Sequence, residues 1–481
     1  MKHQHPYKIL QLASKNFWLL LIPLVRGLVA LRFDFFHWVK GAWLDLVVIL
    51  FIGISAYLRW YFSTFEVAHN CLHCRFGVFA RSDVSIPFSS ICAVSSEKKF
   101  FLRPLKIVSI YLDTNSGIFP DADVKLSIRQ SDYEKLFSSV EKLLKPESPT
   151  AAYLPSKVNL WLFSFIFSST LSGVLFISTL LIESGKIVGN SLQEQLMTAV
   201  TDVTARLAIG LPPLAVAISL IIFGGWLISF VSNILRYIGF KIVRTGRYIS
   251  IRNGIFTLRH YLINANKINY ADFRQNLLTK IFQVMSVHVD CSGYGKAKNE
   301  LPVFVPITTK HQVESSLKLL LPSIKLSESV LTPQWNTYFR FCFRPFFAII
   351  LIPVAALFMH YYFPNWSSII DFASLMAEVP MIWLLTAKSA SYFNTGISAT
   401  DKTLCLKYSF GFAFHTVVVP KEKIAKITVM QNIFQMPMQT CDICVYTTNE
   451  FSKRHTILSL PLPELLAFLD KEDLTPKITI E

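Results

Sequence analysis

Long apolar runs recur along the chain at about 16–34, 43–63, 158–182, 207–232, 343–363 and 366–388, each near the roughly 20 residues that a helix needs to cross a bilayer's hydrocarbon core. They come in pairs. NFWLLLIPLVRGLVALRF is followed by WLDLVVILFIGISAYLRWYF, and VNLWLFSFIFSSTLSGVLFISTLLI by LAIGLPPLAVAISLIIFGGWLISFVS, while the third pair opens on FRPFFAIILIPVAALFMHYYF. Each pair predicts a transmembrane hairpin, and a stretch polar enough to fold in water follows each one.

The polar stretches repeat one pattern. CRFGVFARSDVSIPFSSICAV, IRNGIFTLRHYLINANKINYA and YSFGFAFHTVVVPKEKIAKIT align on Gly77, Gly254 and Gly411, and from each Gly to Ile91, Ile268 or Ile424 the spacing is 14, 14 and 13. Another 22 positions on stand Asp113, Asp290 and Tyr446, in strands that read YLD, HVD and CVY. Alternating sequence on both sides of the Gly, with an aromatic close behind it, predicts a hairpin turn that needs positive φ. Each copy then closes on a helix-like stretch, at 131–145, 309–323 and 461–473. In the first of these Tyr133, Leu136, Phe137, Val140 and Leu144 share a face, with Ser131 placed as N-cap and Glu134 three residues on.

The expected fold class is therefore an α+β membrane protein. Six transmembrane helices form three hairpins, and each hairpin is followed by an antiparallel β domain with a C-terminal helix. The boundaries fall at 1–64 (N-terminal segment and hairpin), 65–150 (domain), 156–235 (hairpin), 236–325 (domain), 338–392 (hairpin) and 393–475 (domain).

This plan resembles the membrane-flanked bacterial PH-like domain proteins. The residues that carry the resemblance are the three Gly turns, the strand starts Pro87 to Ile91 and Pro420 to Ile424, and His5-Pro6 ahead of the first span. Copy two departs from the pattern with Asn264 in place of Pro; copy three is one residue shorter after Gly411 and carries Tyr446 for Asp. The resemblance implies an antiparallel sandwich or part-barrel in each domain. It transfers no catalytic residues. It implies a role in envelope maintenance or resistance to membrane-active agents, and a smaller family member, or the chain itself as an oligomer, as partner.

Composition sharpens the membrane reading. Of 481 residues 52% are hydrophobic and 16% charged, against roughly 25% charged in soluble domains, which excludes a disordered chain. Lys and Arg number 47 against 31 Asp and Glu, a net +16, which suits anionic membrane lipids better than nucleic acid. The hairpin tip at 183–206 holds Lys186 and Arg206 against Glu183, Glu194 and Asp202, and the tip at 364–367 is uncharged. The opposite ends carry Lys157, Arg236, Lys241, Arg340, Arg344 and Lys388. By the positive-inside rule all three domains and both termini are expected in the cytoplasm, on a bacterial inner membrane; Arg32 and Lys40 at the first tip oppose this and are outvoted. Between 236 and 340 there are 15 basic and 5 acidic residues. Arg244, Arg247, Arg252, Arg259, Lys267, Arg274, Lys280, Lys296 and Lys298 are thus candidates for lipid-surface contact; a solvated basic face or an acidic protein partner are the alternatives.

Three constellations bear on chemistry. His69, Cys71, His73 and Cys74 are residue types that zinc accepts, but a strand's period of two places Cys74 on the opposite face from the other three, and Cys441 and Cys444 meet the same obstacle. No metal or cofactor is expected, and the eight scattered Cys suggest reduced thiols. Arg26 and Glu378 fall near predicted bilayer midplanes, where they either pair across the bundle or snorkel to an interface. No phosphate-binding Gly loop, nucleophile elbow or HExxH helix is present. The expected function is a non-enzymatic scaffold whose modules bind lipid or protein; the alternative is a transporter or export component that the domains regulate.

Overall fold

A computed structural model of the chain describes residues 2–16, 35–68, 70–114, 123–143, 150–168, 213–291, 303–309, 318–322, 324, 326–327, 329–448, 454–474 and 478–480, with single positions at 198, 202 and 312. A short helix α1 (Tyr7–Lys15) precedes the first expected span, which lies outside the described residues. Helix α2 (Phe35–Tyr61) begins well before the expected residue 43, because FFHWVKGAW holds no Pro and its one Gly lies mid-run, so nothing stops the helix at its N-terminal side. Helix α3 (Gln130–Leu143) closes the first domain. The second hairpin is described as α4 (Lys157–Ile166) and α5 (Pro213–Tyr237). After a five-residue helix α6 (Leu277–Ile281), the third hairpin follows as α7 (Tyr338–Tyr362) and α8 (Ser367–Asn394), and α9 (Leu462–Lys471) closes the last domain. Among the described residues three stretches are long and apolar enough to cross a membrane, at 219–237, 335–362 and 364–394. Pro345 and Pro353 lie within α7 and Pro380 within α8, as membrane helices tolerate.

The β structure begins with β1 (Lys2–His3) and continues in the first domain as β2 (Thr64–Ala68), β3 (Cys71–Phe76), β4 (Ser82–Pro87), β5 (Ile91–Lys99), β6 (Ile107–Thr114) and β7 (Val124–Arg129). The short β8 (Ala151–Tyr153) leads to the second domain: β9 (Lys241–Thr245), β10 (Tyr248–Asn253), β11 (Thr257–Asn264), β12 (Ile268–Asn276), β13 (Val284–Cys291) and β14 (Val303–Thr309). The third domain has β15 (Gly396–Ala399), β16 (Thr403–Phe410), β17 (Ala413–Pro420), β18 (Ile424–Met430), β19 (Thr440–Thr447) and β20 (Arg454–Pro461), with β21 (Ile478–Ile480) in the tail. Each copy thus splits into two three-stranded halves that pack around one core. In the first domain Phe65, Leu72 and Ile86 of one half face Val108, Ile110 and Leu126 of the other, with Tyr133 and Leu136 of α3 closing the side.

The spacings of the sequence are hairpin registers. Ile91 pairs with Thr114, Ile268 with Cys291 and Ile424 with Thr447, and each ladder breaks register just after that isoleucine. The turn glycines take φ of 105° at Gly77, 95° at Gly254 and 58° at Gly411. At Gly254 a Cβ would collide with the Thr257 carbonyl as well.

The halves do not stay within one domain. β5 pairs antiparallel with β11, and β12 with β17, so two continuous sheets run in the orders β7-β6-β5-β11-β10-β9-β8 and β14-β13-β12-β17-β16-β15. Successive strand residues point to opposite faces, and the two cores that share a sheet lie on its two faces. Leu262 joins the first core and Ile263 the second; Val418 joins the second, Val417 and Val419 the third. The array ends in two four-stranded sheets, β1-β2-β3-β4 and β20-β19-β18-β21.

Candidate functional site

Each Gly turn sits where a membrane helix meets its domain. The amide of Gly254 donates to the Ile238 carbonyl at 2.9 Å and that of Ile255 to Leu235 at 3.3 Å, which seats the β10–β11 turn on the base of α5. In the third copy Ser409 bonds Ser391 of α8, and Lys280 Nζ reaches Asn394 Oδ1 at 3.4 Å. In the first, the Arg81 guanidinium lies 5.9 Å from the centre of the Phe62 ring, just beyond α2.

At this end every copy exposes large apolar side chains. Phe79, Ile255 with Phe256, and Phe410 with Phe412 surround the three turns. A second loop joins the first and second strands of each second half-sheet and adds Phe100, Phe101 and Leu105 in copy one, Leu278, Ile281 and Phe282 in copy two, and Ile433, Phe434 and Met436 in copy three. Phe79 is 102% exposed, Phe101 86% and Phe434 88%, which is costly in water and recurs too regularly to be scatter. The two kinds of loop meet across a domain boundary: the Phe100 amide donates to Phe256 O at 2.7 Å, the rings stand edge-on at 6.0 Å, and the Arg103 guanidinium bonds Ile255 O while lying 5.7 Å from the Phe100 ring centre. In copy three, Arg340 at the start of α7 grips Asp442 at 2.7 and 3.0 Å, and Gln435 donates to the same carboxylate at 2.8 Å. The loop is thereby fixed to the helix base. Aromatic rings with cations beside them are the chemistry of a bilayer's interfacial zone.

The sequence-predicted basic residues take several different roles. Arg244 donates from Nε to Gly246 O at 2.9 Å and from its terminal nitrogen to Leu319 O and Leu320 O at 3.1 and 2.8 Å. Arg259 pairs with Glu97 at 3.1 Å across the first shared sheet, Arg274 with Asp272 at 2.7 Å beside the second, and Lys280 lies 4.9 Å from the Phe414 ring centre. Arg247 and Arg252 are exposed and Lys267 half-buried, while Lys296 and Lys298 lie outside the described residues. Arg26 also lies outside them, and Glu378 is half-buried on α8, so their pairing is not part of the described structure. The same hairpin holds a polar contact that the apolar pattern hid, a hydrogen bond between His360 Nε2 and the Asp371 carboxylate at 2.7 Å. The exposed apolar loops were missed too; the apolar clusters FFLRPL, LLTKIF and NIFQMPM at matching places were the available signal.

The metal-type residues on β3 divide between its faces. Cys74 is buried, and burial pushes its thiol up to about 12; Cys71 and His73 are half-buried on the other face, and His69 lies outside the described residues. Cys441 and Cys444 are both buried, bonded to Leu460 O at 3.6 Å and the Thr456 hydroxyl at 3.3 Å. None of the eight cysteines is joined in a disulfide.

Both shared sheets carry a titratable group. His260, bonded to the Tyr133 hydroxyl at 3.1 Å and to Ser250 at 2.8 Å, is pushed down to about 4 by burial, with Arg252 and Lys98 adding to the shift. Burial by itself would raise the Asp272 carboxyl; the hydrogen bond and charge of His415 at 3.0 Å, with Arg274 and His288, outweigh it and hold the group well below the usual range.

Comparison with known proteins agrees with this geometry. The bacterial PH domain family matches three times, over residues 19–144, 172–320 and 347–472. Over 149 residues the chain is 24% identical to the UPF0699 transmembrane protein YdbT of Bacillus subtilis (strain 168), a stretch that covers 30% of this chain and 30% of that protein. With three matches that take in most of its length, laid on three sandwiches joined edge to edge, the chain belongs to the bacterial PH domain family.

Proposed function

We propose that this membrane protein is a non-enzymatic scaffold of a bacterial inner membrane, whose three cytoplasmic PH-like modules lie against the anionic leaflet through their exposed apolar loops. The observation that carries this reading is the threefold recurrence of exposed aromatic and aliphatic side chains at the end of each domain where the membrane helices attach. Burying one such side chain contributes about 1.5–3 kcal/mol, and each Lys or Arg near an anionic surface about 1 kcal/mol. Lys98, Lys99, Arg103 and Lys106 flank the first loop in this way. A sheet of modules held flat on the leaflet would brace it against agents that insert there, and would present partner proteins with an ordered surface.

The test uses the full chain in lipid nanodiscs, since the shared sheets bind the domains together. An environment-sensitive fluorophore on Phe101→Cys is expected to be quenched by lipids spin-labelled near the headgroup, more strongly with anionic than with zwitterionic lipid, and less strongly as salt rises. Equal signals with and without spin-labelled lipid would overturn the reading.

A further inference from the structure

The two internal junctions have one register. In both, the residue three past the lead isoleucine stands opposite the same position of the following domain: Val94 opposite Leu262, and Ala271 opposite Val418. The repeat leaves one edge of each kind over. β18 is the third copy's counterpart of β5 and β12, and β4 is the first copy's counterpart of β11 and β17. Among the described residues β4 has a partner only on its β3 side.

We propose that the free edge of β4 pairs with β18 of a second copy of this chain, displacing the tail strand β21. The internal register carried over sets Ser85 opposite Ile427 and Val84 opposite Thr428. Those are positions the tail now occupies: β21 runs parallel to β18 and covers Ile427, Thr428 and Val429 alone, whereas the internal junctions join seven and six residue pairs in antiparallel ladders. The tail is the shorter ladder of the less favourable kind, so it acts as an exchangeable plug.

Two further features fit this occupant. The Thr428 hydroxyl is buried and finds no hydrogen-bond partner among the described residues. It stands where copy two has Asp272, whose carboxylate is met by His415 of the next domain; the residue in the place of His415 on β4 is Ser82, a hydroxyl of the right kind. Charge and exposure along β4 also suit a reversible contact. Ser82, Asp83 and Ser85 are exposed, and Ser85 replaces the buried Leu262 and Val418, so the contact between copies is weaker than those within one. Two copies inserted the same way in one bilayer present these edges on the same side of it. The pairing is head to tail, and it builds rows or closed rings rather than isologous dimers.

The experiment places a photo-crosslinking amino acid at Asp83 of the full-length protein in its membrane, with two differently tagged copies present. The expected product joins the two tags and maps to residues 424–430 of the other copy. Its yield should rise several-fold when residues 475–481 are deleted, rise with Ser85→Val, and fall to background with Ser85→Lys, which sets a charge against Ile427. Ser85 is exposed in the single chain, so neither substitution disturbs its folding. Crosslinks to another protein or to the other copy's β4, or a yield indifferent to the tail, would overturn the proposal.

Discussion

At the scale of single residues, a few positions each settle a local structure. Gly254 combines φ of 95° with no room for a Cβ, so Gly254→Ala should cost at least about 1–3 kcal/mol, read as a lower unfolding midpoint, and should loosen the turn from α5. His260 gives a pH dependence whose sign follows from its shift. Its folded pKa of about 4 lies below the ordinary 6.5, so the unfolded chain binds the proton first as pH falls. The stability it contributes is present above pH 6.5 and is lost as pH falls from there toward 4. Amide exchange across β5 and β11 should accelerate over that window, and His260→Gln should flatten the response. The three glycines were legible in the sequence because only Gly meets positive φ cheaply. Lys106, Gln283 and Gln439 take φ of 53°, 54° and 47° at one equivalent place just before β6, β13 and β19, and no residue type betrays them. There the conformation is imposed by the strands on either side.

At the scale of elements, the repeat spacing proved to be strand register; where the described residues reach the apolar runs these are helical, with ends that differ from expectation, and three are long enough to cross a membrane. α8 runs on to Asn394 because KSASYFN contains no breaker before Thr395 and Gly396. The loops were harder to read. An apolar pair such as Phe100-Phe101 looks the same in sequence whether it fills a core or lies bare, since the side that remains open depends on what packs around it. The loop at 431–439 owes its place to Asp442, which accepts from Arg340, Gln435 and the Ser459 amide at once. Asp442→Ala leaves the buried Gln435 amide and Ser459 N–H without their acceptor, while the exposed Arg340 keeps water and the Ser459 hydroxyl, and should destabilise the third domain by about 1–3 kcal/mol; faster amide exchange at 431–439 than elsewhere in the domain is the expected signature. Basic residues show the same limit. Charge counting found Arg244, Arg259 and Arg274, yet each is held by carbonyls or a carboxylate within the protein, a commitment that composition cannot reveal.

At the scale of the whole molecule, the modules are not separable units. A fragment of residues 236–325 would lose β5 from one side and β17 from the other, exposing strand edges and the faces of Leu262 and Tyr270 that pack into the neighbouring cores. Such a fragment should aggregate or show no cooperative unfolding transition, whereas the full chain in detergent should unfold with its neighbouring domains coupled; calorimetry separates the two outcomes. The sequence by itself determined the periodic content: where apolar runs long enough for a bilayer lie, where chain reversal demands glycine, and that one β unit occurs three times. These are local properties, set by hydrophobic spacing and backbone sterics along a contiguous stretch. Only the tertiary structure decided which strand edges meet. Backbone hydrogen bonds between β5 and β11, or β12 and β17, carry no residue code, and alternation lets the same strand serve a core on either face. The sharing of sheets between domains, the bare loops at the helix ends, and the edge of β4 left without a strand follow from that packing.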